Sequence, residues 1–314
     1  MTTTIYKFLF LLALVSLMGC ENFFDTEIEL PTPEHNPVLA INSYITSTND
    51  SIVGVRVSRT YGLFEDSPDE ERIYDATVEL FENGSLLYSL EAFDESYGYN
   101  YKADLPAAFG GIGKTYELRV SHPDYGTVSA TQTMPIPVPL QEVEYRPLES
   151  NDFEQPNGEV RLTFQDPAGE ENYYEFLITN YCEFTIELPN GEILLDTFEN
   201  SIYLDQDFNV DPNLYMGFDG TALLISDRNF DGQTITIGPQ FNSYGCFDAP
   251  NLVSQGFVVY WRTVTKDYFN YSTSLRDSES AAENPFAEPV SVYSNVEGGV
   301  GAVCLRSELR YFVE

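Results

Sequence analysis

The chain has 314 residues and carries 50 acidic side chains against 15 lysines and arginines, which gives a formal charge of −35 at pH 7. Such a surface repels phosphate backbones and anionic head groups, so nucleic acid and lipopolysaccharide are poor candidates as partners. Because 43% of the residues are hydrophobic, the composition predicts a folded protein rather than a disordered acidic chain. The length suits one large hydrophobic core or two ordinary ones.

The first residues have the layout of an export signal. Lys7 precedes an apolar run, residues 8–17, that is too short to span a bilayer and is followed by polar sequence. The run ends in Leu17-Met18-Gly19-Cys20, which resembles the bacterial lipobox. This resemblance implies that residues 1–19 are a cleaved signal peptide and that Cys20 is acylated with fatty acids such as palmitate, which would anchor the chain to a membrane. An ordinary secreted protein with a chance cysteine is the alternative.

Residues 20–36 are predicted to be an acidic tether, because they contain prolines and show no sustained hydrophobic periodicity. Their acidic residues resemble the export signal that directs lipoproteins of Bacteroidota to the cell surface: Glu21, Asp25, Glu27 and Glu29. The intervening Asn22, Phe23 and Phe24 interrupt the usual compact cluster. We expect an outer-membrane location facing the cell exterior, with the periplasmic face as the alternative.

Residues 37–140 are predicted to form a β-sandwich of immunoglobulin or transthyretin type. Short segments alternate between apolar and polar residues, as half-buried strands do. Asn83-Gly84 is a hairpin turn signal, and three prolines near residue 140 end the pattern. The alternating segments are Val53-Val55-Val57, Ala76-Val78-Leu80 and Tyr116-Leu118-Val120.

Residues 141–314 are predicted to form a larger β-rich domain with one short helix. Asn190-Gly191 and Asp166-Pro167-Ala168-Gly169 supply turn signals. The helix is predicted from about Lys266 to Arg276, with an aromatic stripe that is typical of packed core. The strand segments are Val160-Leu162-Phe164, Tyr174-Phe176-Ile178, Phe184-Ile186 and Phe257-Val259-Trp261.

Cysteine and histidine content argues against an enzyme. No CxxC or Cys/His zinc spacing occurs, and His35 and His122 both lie beside proline-containing turns, so a nucleophile-histidine mechanism has little to use. With 50 acidic residues, some carboxylate pair will always fit a glycosidase spacing. Three cysteines follow Cys20 in a compartment that permits disulfides, and any one pair among Cys182, Cys246 and Cys304 can form a bridge.

Two acidic stretches resemble calcium loops, in which oxygen ligands alternate along the chain. Both are incomplete, since one has Val210 in place of the sixth-position glycine and the other has Gly238 in place of the final glutamate. A solvated acidic loop or a turn is the competing interpretation of each. We predict at most one calcium site and no other cofactor. The first stretch provides Asp205, Asp207, Asn209 and Asp211, and the second provides Asp227, Asn229 and Asp231.

Several motifs along the chain resemble a family of Bacteroidota surface lipoproteins that is catalogued as domain of unknown function 4249. The resemblance implies no catalytic residues. It implies a partnership with TonB-dependent outer-membrane receptors, beside which such lipoproteins are typically encoded. The motifs are residues 75–80, 114–118 with 134–135, 164–167 with 172–174, 226–232, and 284–289 with 294–301.

Together these patterns predict a lipid-anchored accessory or binding protein that acts with a TonB-dependent receptor or another outer-membrane complex. A structural subunit or adhesin without a small ligand is the alternative, and a surface hydrolase is a weaker one. We expect contact surfaces in Ser201–Gly220 and Gln240–Pro250, because these loops are rich in aromatic residues. A deep aromatic pocket would favour ligand binding, whereas a flat apolar patch would favour assembly.

Overall fold

A computed structural model describes residues 34–47, 52–62, 65, 72–93, 98–104, 111–149, 157–205, 213–217, 219–243, 246, 252–284 and 286–314. Of these residues 56% lie in strands and 8% in a helix, so the predicted mostly β class with one helix is confirmed. The signal peptide, Cys20 and residues 21–33 of the predicted tether lie outside the described ranges. Residues 37–60 and 67–314 form one compact unit. A second, small unit has residues 34–36, 61, 62 and 65 as its described part.

The larger unit contains seventeen strands and one helix within the described residues. The strands are β1 Leu39–Thr46, β2 Ile52–Arg59, β3 Thr77–Glu82, β4 Ser85–Ala92, β5 Tyr101–Asp104, β6 Thr115–His122, β7 Gly126–Thr133, β8 Leu140–Pro147, β9 Gly158–Gln165, β10 Tyr173–Glu187, β11 Ile193–Ser201, β12 Leu214–Met216, β13 Ala222–Ser226, β14 Thr234–Ile237, β15 Gln240–Phe241, β16 Leu252–Val264 and β17 Val300–Val313. The helix, α1, is Lys266–Glu283.

Thirteen strands form one sheet in the order β12-β13-β10-β16-β17-β1-β2-β5-β4-β3-β6-β7, with β11 paired to β10. A second sheet has β9 at its centre, between β14 and β15 on one side and β8 on the other. All the ladders are antiparallel except the one between β1 and β17, which is parallel. This parallel ladder places the last strand beside the first.

The first hydrophobic cluster lies among β1 to β7, where the alternating residues point inward. Val53, Val55 and Val57 are almost fully buried, as the two-residue period requires. The cluster also receives Val303 and Leu305 from β17. The predicted boundary near Leu140 falls at the start of β8, and the division into two domains there stays a prediction.

The second hydrophobic cluster lies between the second sheet and β10, β13 and β16. Phe164 of β9 packs against Trp261 of β16, with ring centroids 4.8 Å apart, and Tyr174 stacks on the same indole at 5.2 Å. The Trp261 indole donates a hydrogen bond to the Val138 carbonyl at 2.8 Å. The central strands are therefore rigid, since aromatic burial dominates the packing energy.

Helix α1 begins where the sequence predicts and extends seven residues past the predicted end. Thr265 is its N-cap and accepts a hydrogen bond from the Tyr268 amide, while Asp267 lies in the first turn, where a negative charge stabilises a helix. Tyr268 and Phe269 are buried against the sheet. The polar segment after residue 276 contains no proline or glycine before residue 284, so nothing in it ends the helix.

The glycines of the final family-like motif bring β17 against β1. A side chain on Gly301, whose φ is +111°, would place its Cβ 2.1 Å from the Ile41 carbonyl oxygen. A Cβ on Gly299 would lie 2.4 Å from the Leu39 carbonyl oxygen. Only glycine permits this approach and this backbone conformation. The motif is therefore a packing element for the parallel ladder.

The structure joins Cys182 to Cys246 by a disulfide, with Cα atoms 5.7 Å apart. Cys304 is a free thiol, and burial raises its pKa well above the usual value. The bridge ties β10 to the segment before β16.

Among the described residues no helix is both long enough and apolar enough to serve as a transmembrane span.

Candidate functional site

Three aspartates from two distant turns lie close together and form what we call the aspartate cluster: Asp166, Asp227 and Asp231. Their carboxylate oxygens lie within 4.8 Å of one another. Asp166 and Asp227 are buried, and Asp231 is exposed. Burial, together with the charges of Asp166 and Asp231, raises the pKa of Asp227, although hydrogen bonds from Asn172 oppose the shift. Three carboxylates at this separation have the chemistry to accept a divalent cation.

Each carboxylate of the aspartate cluster already accepts a backbone N–H. Gly232 donates to Asp166 at 2.9 Å, and the Asn172 and Gly169 amides donate to the other two carboxylates at 2.7 Å each. The Tyr174 hydroxyl donates to Asp166 as well. These bonds lock the turn after β9 to the turn after β13. Acceptance of hydrogen bonds from these backbone amides is by itself enough to explain why the three aspartates lie together.

The calcium set predicted from sequence is only partly described. Asp205 follows β11, and its amide donates to the Gln240 carbonyl at 2.9 Å. Asp207, Asn209 and Asp211 lie outside the described residues, so this metal site stays a prediction. Of the second stretch, Asp227 and Asp231 come together in the aspartate cluster with Asp166, a residue that sequence spacing could not connect to them.

On the face of the large sheet that carries α1, charged residues line up across β10, β16 and β17. Glu175, Arg262 and Glu308 occupy one register row on these three strands. The Arg262 guanidinium lies 2.7 Å from a carboxylate oxygen of each glutamate. Arg310 donates to Glu308 at 2.8 Å, and Arg306 lies 3.6 Å from Glu175. We call these five residues the charged row.

Burial shapes the electrostatics of the charged row. Burial disfavours the charged form of Arg262 and so tends to lower its pKa. The charges of the two neighbouring glutamates have the larger combined effect and raise the pKa of the guanidinium. Burial likewise tends to raise the pKa of Glu308, whereas Arg262 and Arg310 lower it more strongly, and the net shift is downward. Arg262 and Glu308 are therefore both charged at neutral pH. The ion pairs of Arg262 with Glu175 and Glu308 crosslink three central strands.

An apolar arm extends from the same strands. The arm consists of the ends of β10 and β11 from residue 183 to residue 199, a hairpin beyond the disulfide at Cys182. The exposed fraction is 70% for Ile193, 48% for Leu194 and 57% for Leu195. Ile186 and, beside the arm on β16, Val253 are exposed as well. Such a group of aliphatic side chains in water is typical of an interaction surface.

The outer strand of the arm has an open edge. Within the described residues β11 pairs only with β10, so one side of β11 presents unpaired backbone groups. Native edge strands are normally protected by lysine, proline or a bulge, and β11 has no lysine or proline. The arm contains no basic residue, and its charges are all negative: Glu183, Glu187, Glu192, Asp196 and Glu199.

The base of the arm is held in place by side chains of the sheet. The Tyr260 hydroxyl of β16 donates to the Glu199 carboxylate at 2.6 Å, and Thr179 of β10 donates to the same oxygen at 2.5 Å. Phe184 and Phe198 pack edge to face across the hairpin. The arm is therefore fixed at its base, with an apolar edge presented to solvent.

A family comparison matches residues 25–310 to Domain of unknown function (DUF4249). The match covers nearly the whole chain. The protein belongs to the DUF4249 family. The curated proteins contain no sequence that matches it.

In this DUF4249 chain, two of the motifs that carry the resemblance meet in space, and a third lies in the parallel ladder. Residues 164–174 and 226–232 form the two turns of the aspartate cluster, and residues 298–301 join β17 to β1. The motifs on which the family is identified are therefore largely structural.

The sequence did not identify the apolar arm of the DUF4249 protein, although a signal was present. Ile193, Leu194 and Leu195 are three consecutive apolar residues in a strand. Since side chains alternate in direction along a strand, such a run places aliphatic groups on both faces. In a central strand both faces are covered, but in an edge strand they meet solvent or a partner.

Proposed function

We propose that this DUF4249 protein is a lipid-anchored, non-enzymatic surface protein that docks onto another outer-membrane protein through its apolar arm. The observation that carries the proposal is the arm itself, with three adjacent aliphatic residues exposed on an open strand edge. An exposed apolar patch on a fixed element is explained by assembly more simply than by solubility. The lipobox ending in Cys20 supports the membrane anchor.

The charge of the arm specifies the partner. Two copies of this chain would bring acidic arms and a charge of −35 each into contact, which disfavours self-association. A fitting partner has an apolar groove or strand edge with a basic rim, so that charge complementarity steers docking and the aliphatic residues supply the buried core. A TonB-dependent receptor barrel is the partner that the family resemblance suggests. The loops 201–220 and 240–250 would extend this contact.

The experiment is a mild-detergent pull-down of tagged, lipidated protein from its own outer membrane, followed by mass spectrometry. The test variant is Ile193→Asp with Leu195→Asp, which charges the arm at two exposed positions. The matched control is Ile136→Asp with Leu86→Asp, two exposed positions away from the arm, at 71% and 53% exposure. We expect the wild type and the control to recover one barrel protein at near-equal amount.

The arm variant should recover at least about tenfold less of that barrel, because a charge in the centre of an interface costs more than a charge at its rim. If the arm variant and the wild type recover the same partner equally, the arm is not the docking surface. If the wild type is recovered alone, the proposed partnership is wrong.

A further inference from the structure

A groove of about 240 Å³ lies between α1 and the large sheet, away from the arm. Its floor includes Leu177 of β10, Arg262 of β16 and Arg306 of β17. One wall is the face of α1 that carries Tyr268, and the turn before β13 contributes Asp219. Between β13 and β17 lie β10 and β16, so this span is about 14 Å at the usual strand spacing. Ser226 shares the register row of Arg306, whereas Asp219 lies before Ala222 at the other end of β13, so the groove crosses the strands diagonally.

Among the described residues, the cation at one end of the groove has no carboxylate of its own. In the charged row, three arginines share two glutamates, and Arg306 has the weakest pairing. Its nearest carboxylate oxygen is 3.6 Å away and already contacts Arg262 at 2.7 Å. The remaining bonds of Arg306 are to the neutral hydroxyls of Thr46, at 2.9 Å, and Tyr268, at 3.3 Å. The Arg306 side chain is only 20% exposed.

A second donor lies beside Arg306. Tyr44 lines the same end of the groove, its ring lies 5.8 Å from the Arg306 guanidinium, and no described residue hydrogen-bonds its hydroxyl. Burial, with smaller contributions from neighbouring groups, raises the pKa of Tyr44, so the hydroxyl keeps its proton. A guanidinium and a hydroxyl at one end of a groove are the donors that a carboxylate requires.

The rest of the groove has a different character. Its middle is lined by Leu177, Leu224 and Leu275, which are aliphatic. At the far end, Asp219 accepts hydrogen bonds from Thr221 through Oδ1 only, so Oδ2 has no partner among the described residues. The groove therefore runs from a cationic end through an aliphatic floor to an anionic rim.

We propose that this groove binds a short zwitterionic peptide, with its terminal carboxylate on Arg306 and Tyr44 and its amino end at Asp219. An extended chain rises about 3.3 Å per residue, so about four residues span the roughly 14 Å across the strands. The Arg306 side chain reaches along the strands toward Glu175, which shortens the offset between the two anchors. The peptide carboxylate would complete the charged row by giving the third arginine its own anion. This inference does not depend on the arm, and the arm variant should bind peptide as the wild type does.

The test is isothermal titration of the lipidated full chain, in detergent micelles, with tetraalanine. We expect saturable binding that falls by at least about tenfold when the peptide is amidated at its carboxyl end, because the charge-assisted bonds to Arg306 are then lost. Arg306→Gln should weaken tetraalanine binding by a similar factor. Asp219→Asn, at an exposed position, should weaken the free peptide by about threefold and leave amino-acetylated tetraalanine unaffected.

If Arg306→Gln fails to fold, Tyr44→Phe replaces it, since that change removes one hydroxyl and keeps the ring against Tyr268. Absence of saturable binding at about millimolar peptide would overturn the proposal, because that is the weakest affinity expected of these contacts. Equal binding of tetraalanine and its amide would overturn it too. So would unchanged affinity in both Arg306→Gln and Tyr44→Phe.

Discussion

Glu308 joins two arginines in the interior of the sheet, and its side chain is only 3% exposed. Its folded-state pKa is lowered, so its contribution to stability is complete above the unfolded value of about 4.3 and is lost as pH falls through the lower folded value. Glu308→Gln should destabilise the fold by about 3 kcal/mol at pH 7, because two arginines lose a buried partner. Urea titrations from pH 7 to pH 3 measure this.

The difference between wild type and Glu308→Gln should shrink as the pH falls below about 4, since protonation of Glu308 removes the same interaction. Glu144→Gln is the matched control, because Glu144 also pairs with an arginine, Arg146, but on the exposed surface. That variant should follow the wild-type curve. A stability difference for Glu308→Gln that is constant with pH would show that packing, rather than charge, makes Glu308 important.

The predicted calcium site is tested by adding calcium to chelator-treated protein. If Asp205, Asp207, Asn209 and Asp211 bind one ion, the melting temperature should rise with calcium concentration by mass action. Asp207→Asn with Asp211→Asn should abolish the rise, whereas Asp231→Asn, in the aspartate cluster, should keep it. An unchanged melting temperature in wild-type protein contradicts the prediction, and loss of the rise in Asp231→Asn alone would assign the ion to the other turn.

At the scale of elements, the parallel ladder between β1 and β17 depends on glycines, and Gly301 makes the closest approach. Gly301→Ala should destabilise the protein by about 3 kcal/mol or more, because its Cβ would overlap the Ile41 carbonyl oxygen in a left-handed backbone. Gly84→Ala is the control, since Gly84 also has positive φ but faces open space, and it should cost about 1–2 kcal/mol. Thermal unfolding of both variants checks this, and equal losses would mean that the close approach to β1 is not required.

The disulfide between Cys182 and Cys246 fixes the base of the arm. It closes a segment with a sequence separation of 64, so loop entropy predicts a loss of about 4 kcal/mol for Cys182→Ser with Cys246→Ser. Denaturant midpoints with and without reductant measure this. Cys304→Ala should retain the response to reductant. An unchanged midpoint in the double variant would show that the bridge contributes nothing to stability.

Sequence reasoning located several of the strands and the start of the helix because their signals are local. The alternation at Val53-Val55-Val57 and the turn at Asn83-Gly84 describe neighbours in the chain, and the structure confirms both as β2 and the β3–β4 turn. The pairing of β1 with β17 joins residues about 260 positions apart, and no periodicity encodes it. The close approach of Gly301 to Ile41 exists only once these two strands have paired.

The candidate sites were less predictable for the same reason. The aspartate cluster needs Asp166 and Asp227, which meet only after two sheets have formed. The sequence allows three pairings of the cysteines. The choice between them depends on the fold, which brings β10 beside the segment at residue 246. The charged row depends on the register between three strands. This register cannot be predicted from the order of side chains within any one of them.

For the whole molecule, the distribution of charge and apolar surface is the main feature. The chain has a charge of −35, yet it presents an aliphatic arm without a single basic residue. A partner whose basic rim accepts the acidic arm, as proposed above, would explain this combination. The arm and the proposed peptide groove lie on different parts of one sheet, so the arm itself does not line the groove.

The central proposal is that the apolar arm docks this protein onto an outer-membrane partner. The most direct measurement is the ratio of co-purified barrel protein to bait in the wild type, in Ile193→Asp with Leu195→Asp, and in the exposed control Ile136→Asp with Leu86→Asp. We predict a ratio near one for the wild type and the control, and a ratio lower by at least about tenfold for the arm variant. Equal ratios for all three proteins, or recovery of the wild type alone, would contradict the claim.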